Sequence, residues 1–119
     1  MKMITTTICF LLFIHRTVAS CDITDANFQD YVDEWITNST NHPCGEVIGD
    51  WDVSNVTDMS YVFCSTSWID ECNSARANFN EDLSGWNTSS VTSLEGTFWS
   101  ATSFNSDISQ WDTSSVTSL

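Results

Sequence analysis

Basic residues are almost missing from this chain: Lys and Arg total 3 against 16 Asp and Glu, for a formal net charge of −13. Lys2 and Arg16 lie near the N-terminus, and every acidic residue follows Cys21, so Arg76 is the lone cation among all of them. Such a chain cannot offer the cationic surface that displaces counterions from nucleic acid, and anionic membranes repel it. Histidine is equally scarce, with only His15 and His42. A Ser-His-Asp triad would have to recruit His42 without a nucleophile-elbow motif. The cysteines lack zinc spacing, and nothing singles out a carboxylate pair for glycoside hydrolysis. We therefore expect no enzyme and no cofactor. Long apolar runs are absent too. The stretch Ile8 to Ile14 (ICFLLFI) falls well short of the roughly 20 apolar residues that cross a bilayer, and no later segment comes closer.

That short run has another reading. Lys2 supplies a positive charge ahead of it, and Thr17, Val18, Ala19 and Ser20 follow with small residues where a signal peptidase cuts. Residues 1–20 thus read as a secretory signal peptide cleaved after Ser20. Val18-Ala19-Ser20-Cys21 also fits a lipobox, which would place a lipid on Cys21. Cysteine parity opposes this: Cys21, Cys44, Cys64 and Cys72 remain after cleavage, an even set suited to two disulfides in an oxidising compartment. Three sequons, at Asn38, Asn55 and Asn87, are candidate glycosylation sites in a eukaryotic secretory pathway. The expected location is secreted or on an extracellular surface.

What the chain has in abundance is self-similarity. The segment Trp86 to Leu94, WNTSSVTSL, returns as WDTSSVTSL at Trp111 to Leu119. With Trp51, Trp86 and Trp111 as origins, the intervals are 35 and 25 residues. Ile48, Leu83 and Ile108 precede each tryptophan at one fixed offset. Val56, Val91 and Val116 follow at another, then Met59, Leu94 and Leu119, then Phe63 and Phe98. Phe79 and Phe104 each open Phe-Asn-x-Asp-(Leu/Ile)-Ser before the next tryptophan. The longer interval carries an insertion at about residues 65–78, bracketed near its middle by Cys64 and Cys72.

These spacings fit neither a continuous helix nor a long alternating strand. They predict an α+β repeat: a short strand near each tryptophan, one helical turn between Met59 and Phe63, and units stacking with parallel strands. Insertions in repeat arrays map to loops and often to binding surfaces. Before the repeats, Phe28, Tyr31, Val32, Trp35 and Ile36 recur at helical spacing. They predict an amphipathic helix over 26–37 with Thr24-Asp25 as its N-cap. Cys21 and Cys44 flank that helix, and Cys64–Cys72 would close the inserted loop. The organisation read is 1–20 signal, 21–44 helical cap and 45–119 about two and a half repeats. The third is incomplete, which reads as a truncation, since at least three units normally make a stable stack.

The pattern W-(D/N)-x-S-x-V-T-x-(M/L)-x-x-x-F, then F-N-x-D-(I/L)-S-x-W, resembles the repeat of BspA-like leucine-rich-repeat surface proteins. That repeat also occurs in mycoplasma lipoproteins and in secreted proteins of protists and algae. The resemblance covers roughly residues 45–119. It implies a leucine-rich-repeat-like solenoid, secreted or at a cell surface, engaged in adhesion and partner binding rather than catalysis. The insertion and the small number of repeats depart from the family pattern.

Four groups of residues remain as candidates for function. Asn80 and Asn105, with Asp82 and Asp107, should form turn-capping ladders; the aspartates are also weak Ca²⁺ candidates on ligand type. Ser89, Ser90, Ser114 and Ser115 with the threonines that follow each valine, Thr57, Thr92 and Thr117, could line a hydroxyl face for carbohydrate or ice, although solvent-facing β-propensity and turn chemistry explain the threonines more simply. Trp68 and Trp99 fall outside the repeated apolar set and are the partner-binding candidates. The functional expectation is a binding or adhesion scaffold for a protein or glycan at a cell surface. Its rivals are a purely structural piece of a longer extracellular array and a carbohydrate-binding module.

Overall fold

The computed structural model describes residues 21–119, so the signal-peptide reading of 1–20 lies outside the described residues. Regular structure is sparse. Helix α1 spans Phe28–Thr37, and two short 3-10 turns cover Ile48–Asp50 and Ser74–Asn78. Among the described residues no helix is long and apolar enough to cross a membrane.

The expected α+β architecture, a leucine-rich-repeat-like solenoid with short parallel strands, is overturned. Among the described residues there is no β-strand and no sheet. Extended pairing is limited to two isolated parallel bridges, Asp58 with Ser93 and Ser93 with Ser118. The backbone near each tryptophan, where strands were expected, is committed elsewhere. Val56, Val91 and Val116 donate their N–H groups to Val53, Thr88 and Thr113 carbonyls within local turns. Asp52, Asn87 and Asp112 accept the N–H of Ser54, Ser89 and Ser114 through their side chains. A donor closed into an Asx or β-turn is lost to a ladder. The helical turn expected from Met59 to Phe63 is likewise only a hydrogen-bonded turn, with Tyr61 at φ 58°.

Helix α1 buries Phe28 and Val32 completely, with Tyr31, Trp35 and Ile36 packed on the core edge. It starts later than expected. Asn27 stands at the N-cap, and its side chain accepts from Thr24 N–H at 2.9 Å instead of capping the helix. Asp25, expected at the cap, reaches far along the chain. One oxygen accepts the N–H groups of Thr57 at 2.7 Å and Asp58 at 3.1 Å, and the other accepts the Thr57 hydroxyl at 2.6 Å.

Equivalent residues of successive repeats lie against one another. Trp86 and Trp111 stack at 6.2 Å, Phe63 and Phe98 at 5.5 Å, Phe79 and Phe104 at 6.2 Å. Each indole N–H also reaches back: Trp86 donates to the Ile48 carbonyl at 2.9 Å and Trp111 to that of Leu83 at 3.0 Å. Burying each ring therefore leaves no polar atom stranded, as tryptophan requires. Thr92 and Thr117 each donate backbone N–H and hydroxyl to one carbonyl oxygen of the preceding unit, that of Thr57 and of Thr92, much as Thr57 donates both to the two oxygens of the Asp25 carboxylate. The Asp25 carboxylate thus supplies the acceptor that a preceding repeat would supply.

Two disulfides, Cys21–Cys44 and Cys64–Cys72, close the segment around α1 and the inserted loop. The insertion is tied down by Arg76, which is 1% exposed. Its guanidinium grips Asp33 of α1 through two bonds of 2.8 and 2.9 Å and donates to the Tyr61 and Glu71 carbonyls. Burying a cation in so acidic a chain is tolerable because the fork geometry pairs it with a carboxylate and two backbone carbonyls take both Nη1 donors.

Candidate functional site

Among the described residues, Trp68 and Trp99 are the two large aromatic side chains left open to solvent, at 83% and 55% exposure. Trp68 lies in the loop closed by Cys64–Cys72, which cuts that loop's conformational freedom. Below it Thr66 is buried, and the Asn73 side chain accepts from Ala75 N–H at 2.9 Å to start the following turn. Trp99 belongs to the next repeat. Its carbonyl accepts Ser65 N–H at 2.8 Å, so the start of the insertion runs beside it.

Trp99 also rims an apolar groove of about 510 Å³, whose walls include Leu94, Phe98, Ile108, Trp111 and Leu119. The floor is rigid. Phe98 stacks on Phe104 at 4.1 Å and lies 6.0 Å from Trp111. Gly96 turns the chain at φ 57°, and a side chain there would run into the Tyr61 ring. The volume and apolar walls suit side chains of a partner far better than a polar reaction centre.

The hydroxyl face is occupied with itself. Thr57, Thr92 and Thr117 are exposed, yet each hydroxyl is spent on an oxygen of the preceding unit. Asp82 and Asp107 are exposed and accept the N–H of Ser84 and Ser109 at 2.9 Å. Hydrogen bonds from the Ser84 and Ser109 side chains, and then from these N–H groups, hold both carboxyls below the usual range. Among the described residues no group of three or more His, Cys, Asp or Glu side chains converges as a metal site. Asn80 does bridge repeats, accepting Asn105 N–H at 2.7 Å and the Ser106 hydroxyl at 3.1 Å. The sequon residues Asn38, Asn55 and Asn87 are all exposed.

His42, the one histidine that a triad could have recruited, is part of the core. It stacks on Trp51 at 4.9 Å, accepts Cys44 N–H on Nδ1 at 3.2 Å, and meets the Tyr31 ring edge-on. Nε2 is buried without a hydrogen-bond partner, with Glu34 3.8 Å away. Burial pushes its pKa below the ordinary value, against the opposing pull of Glu34. No serine or threonine hydroxyl bonds to it among the described residues.

Three residues with structural weight escaped sequence reasoning: Arg76, noted only as a charge, Asp25, noted only as a helix cap, and His42. For Asp25 a signal existed, since the first repeat's Thr57 needs an acceptor that only an earlier segment can offer. For the Arg76–Asp33 pair the only signal was scarcity, a single cation among many carboxylates.

The class these features define is an aromatic-stacked repeat protein with disulfide clasps. The family described as "Mycoplasma protein of unknown function, DUF285" matches residues 37–119, and the chain belongs to it. No curated protein and no solved structure matches the chain.

Proposed function

We propose that this protein is a secreted or cell-surface scaffold that binds a partner protein through exposed aromatic side chains. The carrying observation is Trp68, 83% exposed in a disulfide-closed loop. A fully solvated tryptophan forgoes roughly 2–3 kcal/mol or more of burial on its own chain, and a partner surface can recover that energy. Tryptophan is also the residue most enriched among interface hot spots. The two disulfides are compatible with an oxidising, extracellular setting. The Cys21 sulfur is engaged with Cys44, which favours secretion over a lipid anchor at that residue. The resemblance to BspA-like surface repeats supports adhesion as the role.

The test is an adhesion assay with the mature chain presented on beads, against extracellular-matrix proteins and a glycan array. Trp68→Ala should cut protein binding by about tenfold or more, the cost of losing a hot-spot aromatic, with an unchanged melting temperature. Binding only to glycans would replace the protein partner with a carbohydrate. Binding to neither would end the scaffold reading.

A further inference from the structure

Helix α1 and the second repeat lie on either side of the first repeat, yet neither covers the tip of its insertion, where Trp68 stays 83% exposed. Main-chain bonds pin both feet of this loop. Ser65 N–H donates to the Trp99 carbonyl at 2.8 Å, and Asn73 N–H to the Cys64 carbonyl at 3.0 Å. Arg76 Nη1 holds the Glu71 carbonyl at 3.2 Å, and Cys72 N–H closes a turn onto the Ile69 carbonyl at 3.0 Å. Asp70 and Glu71 are the central residues of that turn, and both are exposed. The loop is fixed at its base and presents an indole and a pair of carboxylates at its tip. Neither carboxylate forms an ion pair among the described residues. Nor does the described surface hold a Lys or Arg to pair with them, since Arg76 is 1% exposed and committed to Asp33.

We propose that this loop binds a basic segment of the partner protein, with an arginine or lysine over the face of the Trp68 indole and a further cation on the carboxylates of Asp70 and Glu71. The proposal rests on the protein-binding reading of Trp68 and adds the chemistry of the partner. Charge complementarity carries it. Whatever covers Trp68 also brings a surface against Asp70 and Glu71 and strips water from them. An acidic or wholly apolar partner leaves both carboxylates unpaired at the contact, a cost that works against the energy gained by covering the indole. A basic segment pairs them instead. The ring favours the same partner, because tryptophan offers the most attractive face to an ammonium or guanidinium. Arginine fits best, since it stacks flat on an aromatic face and engages carboxylates through its fork. The fixed base lowers the entropy lost on docking. The negative field of the whole chain draws such a segment in and turns acidic competitors away.

The probe is a deca-arginine peptide titrated into the mature chain and followed by the indole N–H resonance of Trp68. That resonance should shift saturably while those of the buried Trp51, Trp86 and Trp111 stay in place, and affinity should fall as salt rises. Trp68→Ala should weaken binding about two- to fivefold, the scale of a cation on an exposed indole. The double variant Asp70→Asn, Glu71→Gln should weaken it about three- to tenfold. A control, Asp52→Asn with Asp112→Asn, removes the same charge from the turns after Trp51 and Trp111, where Asn87 already makes the equivalent hydrogen bond. It should change affinity by less than about twofold. Equal losses from the two double variants would overturn the proposal, because the peptide would then be reading net charge and not the loop. So would a Trp68 resonance unmoved at millimolar peptide. A resonance moved by phosphatidylcholine vesicles and not by the peptide would also overturn it and name a lipid surface as occupant. If a protein captured in the adhesion assay is lost with Trp68→Ala but kept with Asp70→Asn, Glu71→Gln, the basic partner falls and the scaffold reading stands.

Discussion

The first and last repeats carry nearly the same apolar letters and meet different fates. In the first, Ile48, Val56, Met59 and Phe63 are at most 1% exposed, held between α1 on one side and the second repeat on the other. In the last, Ile108 and Val116 are half-buried, and Leu119 is 89% exposed. The series Met59, Leu94, Leu119 runs from fully buried through half-buried to open. A repeat pattern therefore specifies which side chains can be buried, and the neighbouring unit decides which are. Burial is a property of the contact between units.

Four experiments press on that contrast, beginning with the largest effect. Phe63→Ala should cost about 3–5 kcal/mol, the usual range for emptying an aromatic site in a core. Phe98→Ala, in the half-buried equivalent position, should cost about half as much. Denaturant titration of both variants measures the difference; equal losses would erase the distinction between the two repeats. Trp86→Ala belongs with Phe63, because its ring is 3% exposed and its indole N–H is bonded.

Arg76→Met comes next. It leaves Asp33 facing the space the guanidinium filled, and removing one partner of a buried pair costs about 3–5 kcal/mol. The Asp33 side chain is 35% exposed, so hydration should lower the loss toward about 2 kcal/mol. Thermal melting reads the loss directly. The double variant Arg76→Met, Asp33→Leu should recover part of it; no recovery would mean the pair's role lies with the Tyr61 and Glu71 carbonyls instead.

Asp25→Ala should destabilise by about 1 kcal/mol, the scale of a lost cap, and the loss should localise to the first repeat. Hydrogen exchange at Thr57 and Asp58 should accelerate while Thr92 and Thr117 stay protected. Uniform acceleration would deny Asp25 its role as substitute for an earlier repeat.

The smallest effect is on pH. His42 is held below its ordinary pKa, so the unfolded chain binds its proton first as pH falls through about 6.5. Stability should therefore decline from near that pH downward until the folded pKa is reached. A second decline should begin near pH 4, as the unfolded carboxyls protonate. At Asp25, burial pushes the pKa up, but the bonds from Thr57 and Asp58 outweigh it and lower the carboxyl overall. Replacing His42 with Gln should flatten the upper decline and leave the lower one. Persistence of the upper decline would assign it to another group.

Much of this molecule could be read before any coordinates. Tryptophan, valine and phenylalanine at fixed offsets picked out the residues that now stack, because hydrophobic burial is encoded residue by residue. The helix face was legible for the same reason, although its start was not: Asp25 competes for partners elsewhere, and local capping rules do not see a threonine 32 residues away. The strands were misread because extended spacing alone cannot say where the N–H groups go. In this chain Asx turns claim the donors that strands would have used.

Of the candidate sites, exposure of Trp68 and Trp99 followed the failure of both to fit the repeat, a signal available in the letters. The groove beside Trp99 was not legible, since its walls come from residues up to 25 positions apart, Leu94 to Leu119. The repeat aspartates accept the N–H groups of serines two residues on, and the Thr92 and Thr117 hydroxyls donate to carbonyls of the preceding unit. The sequence by itself determined the repeat register, the apolar inventory, the charge and the pool of cysteines, all of which depend on residue identity and spacing. The tertiary structure alone decided the absence of strands among the described residues, the burial of Arg76 on Asp33 and the place of His42 against Trp51. Each of these turns on which distant group reaches a donor, an acceptor or a ring first, and spacing along one chain does not carry that information.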